Sequence, residues 1–170
     1  MTSSSAYIAT HARFDSNGNQ YESTDALGNT ATTTYDSTYN AFPITVTSPV
    51  PDSTGTYGSN SAFVTYATFD PTTGLPLTTT DANNLKTEIT YDSTTLRPLN
   101  VKTYNSVTNT QVGGTSETVY HDEVNNYWVK SRSQIDADHW AENITYFDGL
   151  GRAYKTEEVN SHGKDRKSVV

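Results

Sequence analysis

Aspartates recur along the chain at spacings that could bring carboxylates together. Within each of three groups they lie 10 to 14 residues apart. Paired carboxylates can act as general acid and base when a cleft holds their pKa values apart. A step of this length, however, holds one strand and one turn, so the recurrence favours turn caps over a catalytic pair. The nine aspartates are Asp15, Asp25, Asp36, Asp70, Asp81, Asp92, Asp122, Asp136 and Asp148.

Two oxygen-rich segments could bind calcium. Residues 15–19 read like the front of a calcium loop, but the twelfth position, which needs a bidentate Glu, is Ala26. Asp136, Asp138 and Glu142 form a second, weaker cluster. We therefore expect no metal site and no other cofactor.

Histidines and nucleophiles give no enzyme signature. The four histidines have neither a zinc-pair spacing nor a His-Glu-x-x-His frame, and solvated or turn positions suit them better. The sequence has no cysteine and no Gly-x-Ser-x-Gly elbow. The chain is accordingly predicted not to be an enzyme, and a hydrolase is the weakest of the functional hypotheses.

Aromatic residues concentrate near the end of the chain and could form a binding platform. Tyr127, Trp128 and Trp140 could stack on sugars or contribute to a protein interface. The alternative is that these rings pack on a sheet face. Both readings stay open at the level of the sequence.

The composition describes the elements that must position these residues. Hydrophobic residues make up 33% and aromatic residues 11% of the chain, and mean hydropathy is −0.67. Threonine is the most frequent residue, and Thr and Tyr favour pleated, half-buried surfaces. This composition predicts a thin β-sheet with one covered face and one wet face.

Charge and patterning exclude several classes of partner. The net charge is −8 and no basic stripe exists, so nucleic-acid binding is not expected. No apolar run approaches the roughly 18 residues of a membrane helix. The first residues lack the charged and apolar regions of a signal peptide.

An ordered internal repeat predicts the architecture. Aromatic–Asp pairs alternate with x-Asp-Ala elements, as in Phe14-Asp15 followed by Thr24-Asp25-Ala26. Between the turns, residues alternate with a period of two, as in residues 86–91. The predicted fold is all-β, with repeated antiparallel β-hairpins that form an open, curved sheet and no long helix. The aspartate of each pair should end a strand and cap a turn.

The repeat also divides the chain into segments. A common sequencing-adapter DNA encodes the hexapeptide of residues 165–170, so our hypothesis is that these residues are adapter-derived; a genuine basic terminus is the alternative. The predicted segments are a lead-in at 1–12, YD units at 13–47, 62–112 and 113–158, a Ser/Pro/Gly-rich surface loop at 48–61 and a tail at 159–170.

Several stretches resemble the YD repeats of Rhs proteins, teneurins and the B component of insecticidal toxin complexes. They include residues 14–19, 24–30, 90–92 and the Asp-Gly-Leu-Gly-Arg stretch at 148–152. The resemblance covers roughly residues 10–158 and implies an arc of a hollow shell built from β-hairpins. It implies no catalytic residue, because the self-cleaving motif of Rhs proteins is not found here.

The leading hypothesis is a non-catalytic structural segment of a bacterial YD-repeat shell, secreted or at the cell surface as part of a larger protein. Its partners would be the remaining repeats and an enclosed or presented C-terminal toxin or effector domain. The alternative is a surface adhesin or carbohydrate-binding β-repeat array, with glycans as partners. Because repeat arrays bury their sheets only against neighbours, we expect the isolated chain to be marginally stable or to aggregate.

Overall fold

The computed structural model describes residues 9–160 and 166–169, and these residues are all-β. The described residues contain no helix, and hence none long and apolar enough to span a membrane. The chain divides into two compact units, and the boundary after Asn84 lies inside the predicted sequence repeat 62–112. Compact units and sequence repeats therefore do not coincide, and each unit is described separately.

Unit 1 is a meander of antiparallel strands, each paired with the strand before it. The predicted β-hairpins are confirmed. The strands are β1 (His11–Phe14), β2 (Gln20–Thr24), β3 (Thr30–Tyr35), β4 (Pro43–Thr47), β5 (Val64–Phe69) and β6 (Pro76–Thr80).

Unit 2 repeats the pattern with one interruption, because β8 pairs with β7 on one side and with both β9 and β10 on the other. Each later strand pairs with its predecessor. The last strand, at residues 166–169, falls within the segment that we interpret as adapter-derived, and its pairing does not test that interpretation, which stays a prediction. Residues 165 and 170 lie outside the described residues. The strands are β7 (Leu85–Tyr91), β8 (Pro98–Asn105), β9 (Thr110–Gln111), β10 (Ser116–Glu123), β11 (Asn126–Gln134), β12 (Trp140–Phe147), β13 (Ala153–Asn160) and β14 (Arg166–Val169).

Neither unit has a buried apolar core. Among the described residues no hydrophobic side chain is buried, and Thr115, at 7% exposure, is the one buried polar residue. In β4 and β5 the apolar side chains on both faces are exposed, with Val46 on one face and Tyr66 on the other. Within the described residues, neither face of a unit is covered well enough to bury a hydrophobic side chain, so the covered face that the sequence predicts is not seen in this part of the chain.

The Ser/Pro/Gly-rich segment is the predicted surface loop between β4 and β5. Its base is closed by the Ser48 N–H, which donates to the Phe63 carbonyl at 2.8 Å, and by the Phe63 N–H, which donates to Ser48 Oγ at 3.0 Å. Within the loop, Asp52 Oδ1 accepts from the Thr54 N–H at 2.9 Å. The loop is therefore held by local hydrogen bonds while its side chains stay largely exposed.

A register shift marks the aromatic residue of every complete aromatic–Asp pair. The pairing slips by one residue at this position in each of the five hairpins concerned. In three of them the partner of the aromatic residue is a proline, which has no N–H for the ladder. Such bulges bend the strand and increase its local twist. The shifted residues are Phe14, Tyr35, Phe69, Tyr91 and Phe147.

Candidate functional site

Eight of the nine predicted aspartates occupy the first position of a turn and accept backbone hydrogen bonds. In the short turns, the carboxylate closes the loop onto residues two and four further on. Asp15 Oδ1 accepts from the N–H groups of Asn17 and Asn19 at 2.8 and 2.9 Å. The equivalent bonds form at Asp25 and Asp148. These side chains are turn caps of the Asx type.

Three longer turns are also capped by an aspartate side chain, and they differ from the short turns in the position of the residue with a positive φ. The fourth residue after Asp36, Asp70 and Asp92 takes a positive φ and donates its N–H back to the aspartate carbonyl. Gly74 suits that conformation, whereas an L-side chain such as Leu96, at φ 58°, adopts it at a cost. The remaining caps, at Asp81 and Asp136, accept the N–H two residues on.

Hydrogen bonds lower the pKa of six of these turn aspartates. At Asp36 the N–H groups of Phe42 and Tyr39, with further help from Ala41 and Thr38, lower the pKa to about 2. The pKa of Asp15 is lowered chiefly by the Asn19 N–H, and that of Asp148 chiefly by the Arg152 N–H. A carboxylate held in this way accepts hydrogen bonds but is a poor proton donor at neutral pH.

Asp122 is the exception, and its expected role as a turn cap was wrong. It lies within β10, because the chain continues to a tight turn at Asn125, φ 63°, before it reverses. Both Asp122 oxygens accept from Nη1 of Arg97, at 2.9 and 2.7 Å. The same guanidinium lies over the Tyr120 ring, 5.0 Å from its centroid. The hydrogen bond to Asp122 is the main cause that raises the pKa of Arg97.

Successive aromatic–Asp elements are linked by a recurring contact. In unit 1, Phe42 ends the Asp36 turn and stacks on Phe69, the next aromatic of the series, with centroids 5.3 Å apart and planes 18° apart. In unit 2, Arg97 ends the Asp92 turn and contacts Tyr120 in the same way. At these two positions, one in each unit, the residue before the proline contacts the aromatic residue of the next aromatic–Asp element.

A pocket of about 340 Å³ opens in unit 2, where the β10–β11 hairpin projects beside the Asp148 turn. Asp122, Tyr127 and Phe147 are direct cross-strand partners on β10, β11 and β12, and all three line it. Arg97 and Tyr120 border the same space. Rings and one charged pair thus converge at one end of the unit.

The three residues of the predicted aromatic platform do not form one surface. Tyr127 and Trp128 are consecutive in β11, so their side chains project to opposite faces. The Trp128 ring meets His121 edge-on, with centroids 4.8 Å apart. Trp140 shares the Trp128 face but lies at the opposite end of the strands, roughly 20 Å away at about 3.3 Å per residue.

On the face of unit 2 that carries Trp128 and Trp140, three aromatic rings each have a cation lying over them. Arg132 donates from Nε to Glu117 at 2.6 Å, and its guanidinium lies 4.6 Å from the Trp140 ring centroid. Lys155 pairs with Glu157 at 2.6 Å and lies over Tyr146. Further along, Lys86, Glu88 and Tyr104 form a third such set. We call these sets cation–carboxylate–ring triads.

Of the candidate metal ligands, Asp15 and Asp136 cap turns, whereas Glu142 lies in β12 and pairs with Lys130 and Arg132. Asp15 forms the Asx turn described above, and Asp136 binds Nδ1 of His139 at 2.7 Å and the N–H of Asp138 at 3.0 Å. Within the part of the chain that the structure describes, no group of three or more acidic or histidine residues converges on a common point. His121 contacts Trp128 and Asn126.

Sequence reasoning missed Arg97, Tyr120 and Phe147 as members of one site. The position of Arg97, between an aromatic–Asp turn and a proline, was a usable signal, because Phe42 stands at the same position in unit 1. Comparison of the sequence with protein-family models finds no match, and comparison with curated proteins finds none either.

Proposed function

We propose that the chain is a non-catalytic structural segment of a YD-repeat shell that encloses or presents a toxin or effector domain. The observation that carries this proposal is the recurrence of one hairpin design, with a capping aspartate and a bulge at the preceding aromatic residue. A β-bulge adds local bend and twist to its strand, and strand curvature of this kind suits the wall of a shell.

The state of the carboxylates supports a structural role. Eight of the nine aspartates that could have served acid–base chemistry cap turns, and seven aspartates of the described residues have lowered pKa values. The contacts Phe42–Phe69 and Arg97–Tyr120 join successive repeats. We propose further that the parent protein is secreted or displayed at a bacterial cell surface.

The gene provides the direct test. Long-read sequencing of the source DNA should show that the frame continues past Lys164 into further aromatic–Asp repeats and a distinct C-terminal domain. A clean frame that stops at Val170 would contradict the shell and leave a small stand-alone β-repeat protein.

The behaviour of the isolated chain provides a second test. Because the described residues bury no hydrophobic side chain, the chain alone should self-associate and bind a hydrophobic dye. Sedimentation velocity measures the association. A monodisperse monomer with a cooperative melt would show that the chain needs no neighbouring repeats.

A surface adhesin or carbohydrate-binding array is the second candidate function. The observation that favours it is the aromatic pocket of unit 2, where Tyr127 and Phe147 lie beside the Arg97–Asp122 pair. A sugar site and a shell wall are compatible on one chain, because the pocket occupies only one end of the unit.

A further inference from the structure

We propose that the pocket beside the Asp148 turn binds one neutral pyranose ring of a glycan. The proposal rests on the second candidate function and gives it a site and a ligand class. The shell proposal does not depend on it.

The size and walls of the pocket suit a single sugar ring. Its volume of about 340 Å³ lies near the lower end of the range for small-molecule sites. Tyr127 and Phe147 are cross-strand partners, so their side chains project from the same face of the sheet, and both residues line the pocket. An aromatic face offers a flat apolar surface, and a pyranose has a matching face of C–H groups.

A polar pair at the rim supplies the directional contacts that a sugar needs. Each Asp122 oxygen accepts one bond from Arg97, and a carboxylate oxygen has capacity for about two. The side chains remain open to solvent, with 41% of Arg97 and 52% of Asp122 exposed. A sugar hydroxyl both donates and accepts, so a carboxylate acceptor beside a guanidinium donor can serve two neighbouring hydroxyls.

The charged side chains at the rim of the pocket are paired with each other, which favours a neutral sugar over an anionic one. Arg97 is neutralised by Asp122, and Asp148 is neutralised by Arg152 through a 2.8 Å hydrogen bond. An acidic sugar or a phosphate would meet no uncompensated cation among these four residues. The net charge of −8 for the whole chain further disfavours an anionic ligand.

The test uses the full chain on an array of neutral glycans, followed by saturation-transfer NMR with the methyl glycosides of the sugars that bind. Tyr127→Ala should weaken binding by roughly tenfold, because it removes a stacking surface. Asp122→Asn should weaken it at least several-fold while it preserves shape. Tyr57→Ala is the matched control, because Tyr57 is 97% exposed in the loop of unit 1 and should leave binding unchanged.

Circular dichroism reports whether each variant folds, and if Tyr127→Ala does not, Asp122→Asn decides. Loss of binding in the pocket variants with an unchanged Tyr57→Ala supports the proposal. Glycan binding that survives both pocket variants overturns the site but leaves the adhesin candidate standing. If no glycan binds, the proposal and the adhesin candidate both fail, and the pocket is better explained as a seat for a neighbouring protein segment.

Discussion

Replacement of Gly114 by alanine should be among the most damaging small substitutions in unit 2. Gly114 lies between β9 and β10 and packs directly against the backbone of Gln134 at the end of β11. An added Cβ would overlap the Gln134 carbonyl oxygen and lie 2.9 Å from its carbonyl carbon and 3.0 Å from its Cβ. The backbone atoms of Gln134 cannot rotate away, so the segment that contains Gly114 must move away from the end of β11.

The size of the effect follows from what that separation breaks. Relief of the overlap with the Gln134 carbonyl oxygen requires a shift of roughly 1 Å or more. Thr115 and Gln134 share two hydrogen bonds at this point, from the Gln134 N–H to the Thr115 carbonyl at 2.9 Å and from the Thr115 N–H to Gln134 Oε1 at 3.3 Å. Overpacking costs about 1–3 kcal/mol and a weakened hydrogen bond about 1 kcal/mol, so we expect a loss of about 2–4 kcal/mol.

Urea unfolding followed by tryptophan fluorescence measures this loss, because Trp128 and Trp140 both lie in unit 2. Gly149→Ala is the matched control: Gly149 has no positive φ and no atom within 4 Å of an added Cβ. The control should be neutral or more stable by about 0.4–1 kcal/mol, through a less flexible unfolded chain. Equal urea midpoints for Gly114→Ala and the unmodified chain would refute the steric argument.

Three further outcomes can be measured by thermal or urea unfolding. The pKa of Asp36 is about 2 in the folded chain, below the unfolded value of about 3.9. The ionised side chain therefore stabilises the fold above about pH 4, and this stabilisation is lost as the pH falls toward 2. Melting temperatures that do not fall over this range would contradict the capping role. Gly74→Ala should cost about 1 kcal/mol, because φ is +73° and the added Cβ makes only an ordinary contact; no change in the urea midpoint would argue against strain. Phe42→Ala should cost about 2 kcal/mol, since it removes a half-buried ring stacked on Phe69, whereas the more exposed Phe63→Ala should cost clearly less; equal losses would show that the stack adds nothing.

The hairpins were predictable because their turns are built from local chemistry. Asp25, Gly28 and Asn29 lie within five residues of one another, and each does what its type favours. The carboxylate accepts N–H groups, the glycine takes a positive φ, and the asparagine amide donates to the other carboxylate oxygen at 2.8 Å. Alternation with a period of two then placed the strands between such turns.

The register shifts and the pocket could not be predicted in the same way. A bulge depends on which residue of the next strand lies opposite, as Tyr35 lies opposite Pro43. The pocket depends on Arg97 and Asp122, 25 residues apart in sequence. Asp122 looked like a degenerate repeat mark, but the positive φ of Asn125 moves the reversal three residues on and leaves the aspartate in a strand.

The triads indicate how rings are accommodated in a sheet without a core. In each triad the charged group lies over the ring, covers part of its apolar surface and pairs with a carboxylate at the same time. In Arg132, Glu117 and Trp140 the three groups come from three adjacent strands, so the triad also fixes their register. The ion pairs of the triads are partly exposed to solvent, and ion pairs near a protein surface contribute only about 0–1 kcal/mol each, so they cannot replace the burial of apolar surface. Within the described residues the units are therefore stabilised mainly by backbone pairing between strands, and their faces keep apolar side chains exposed to solvent.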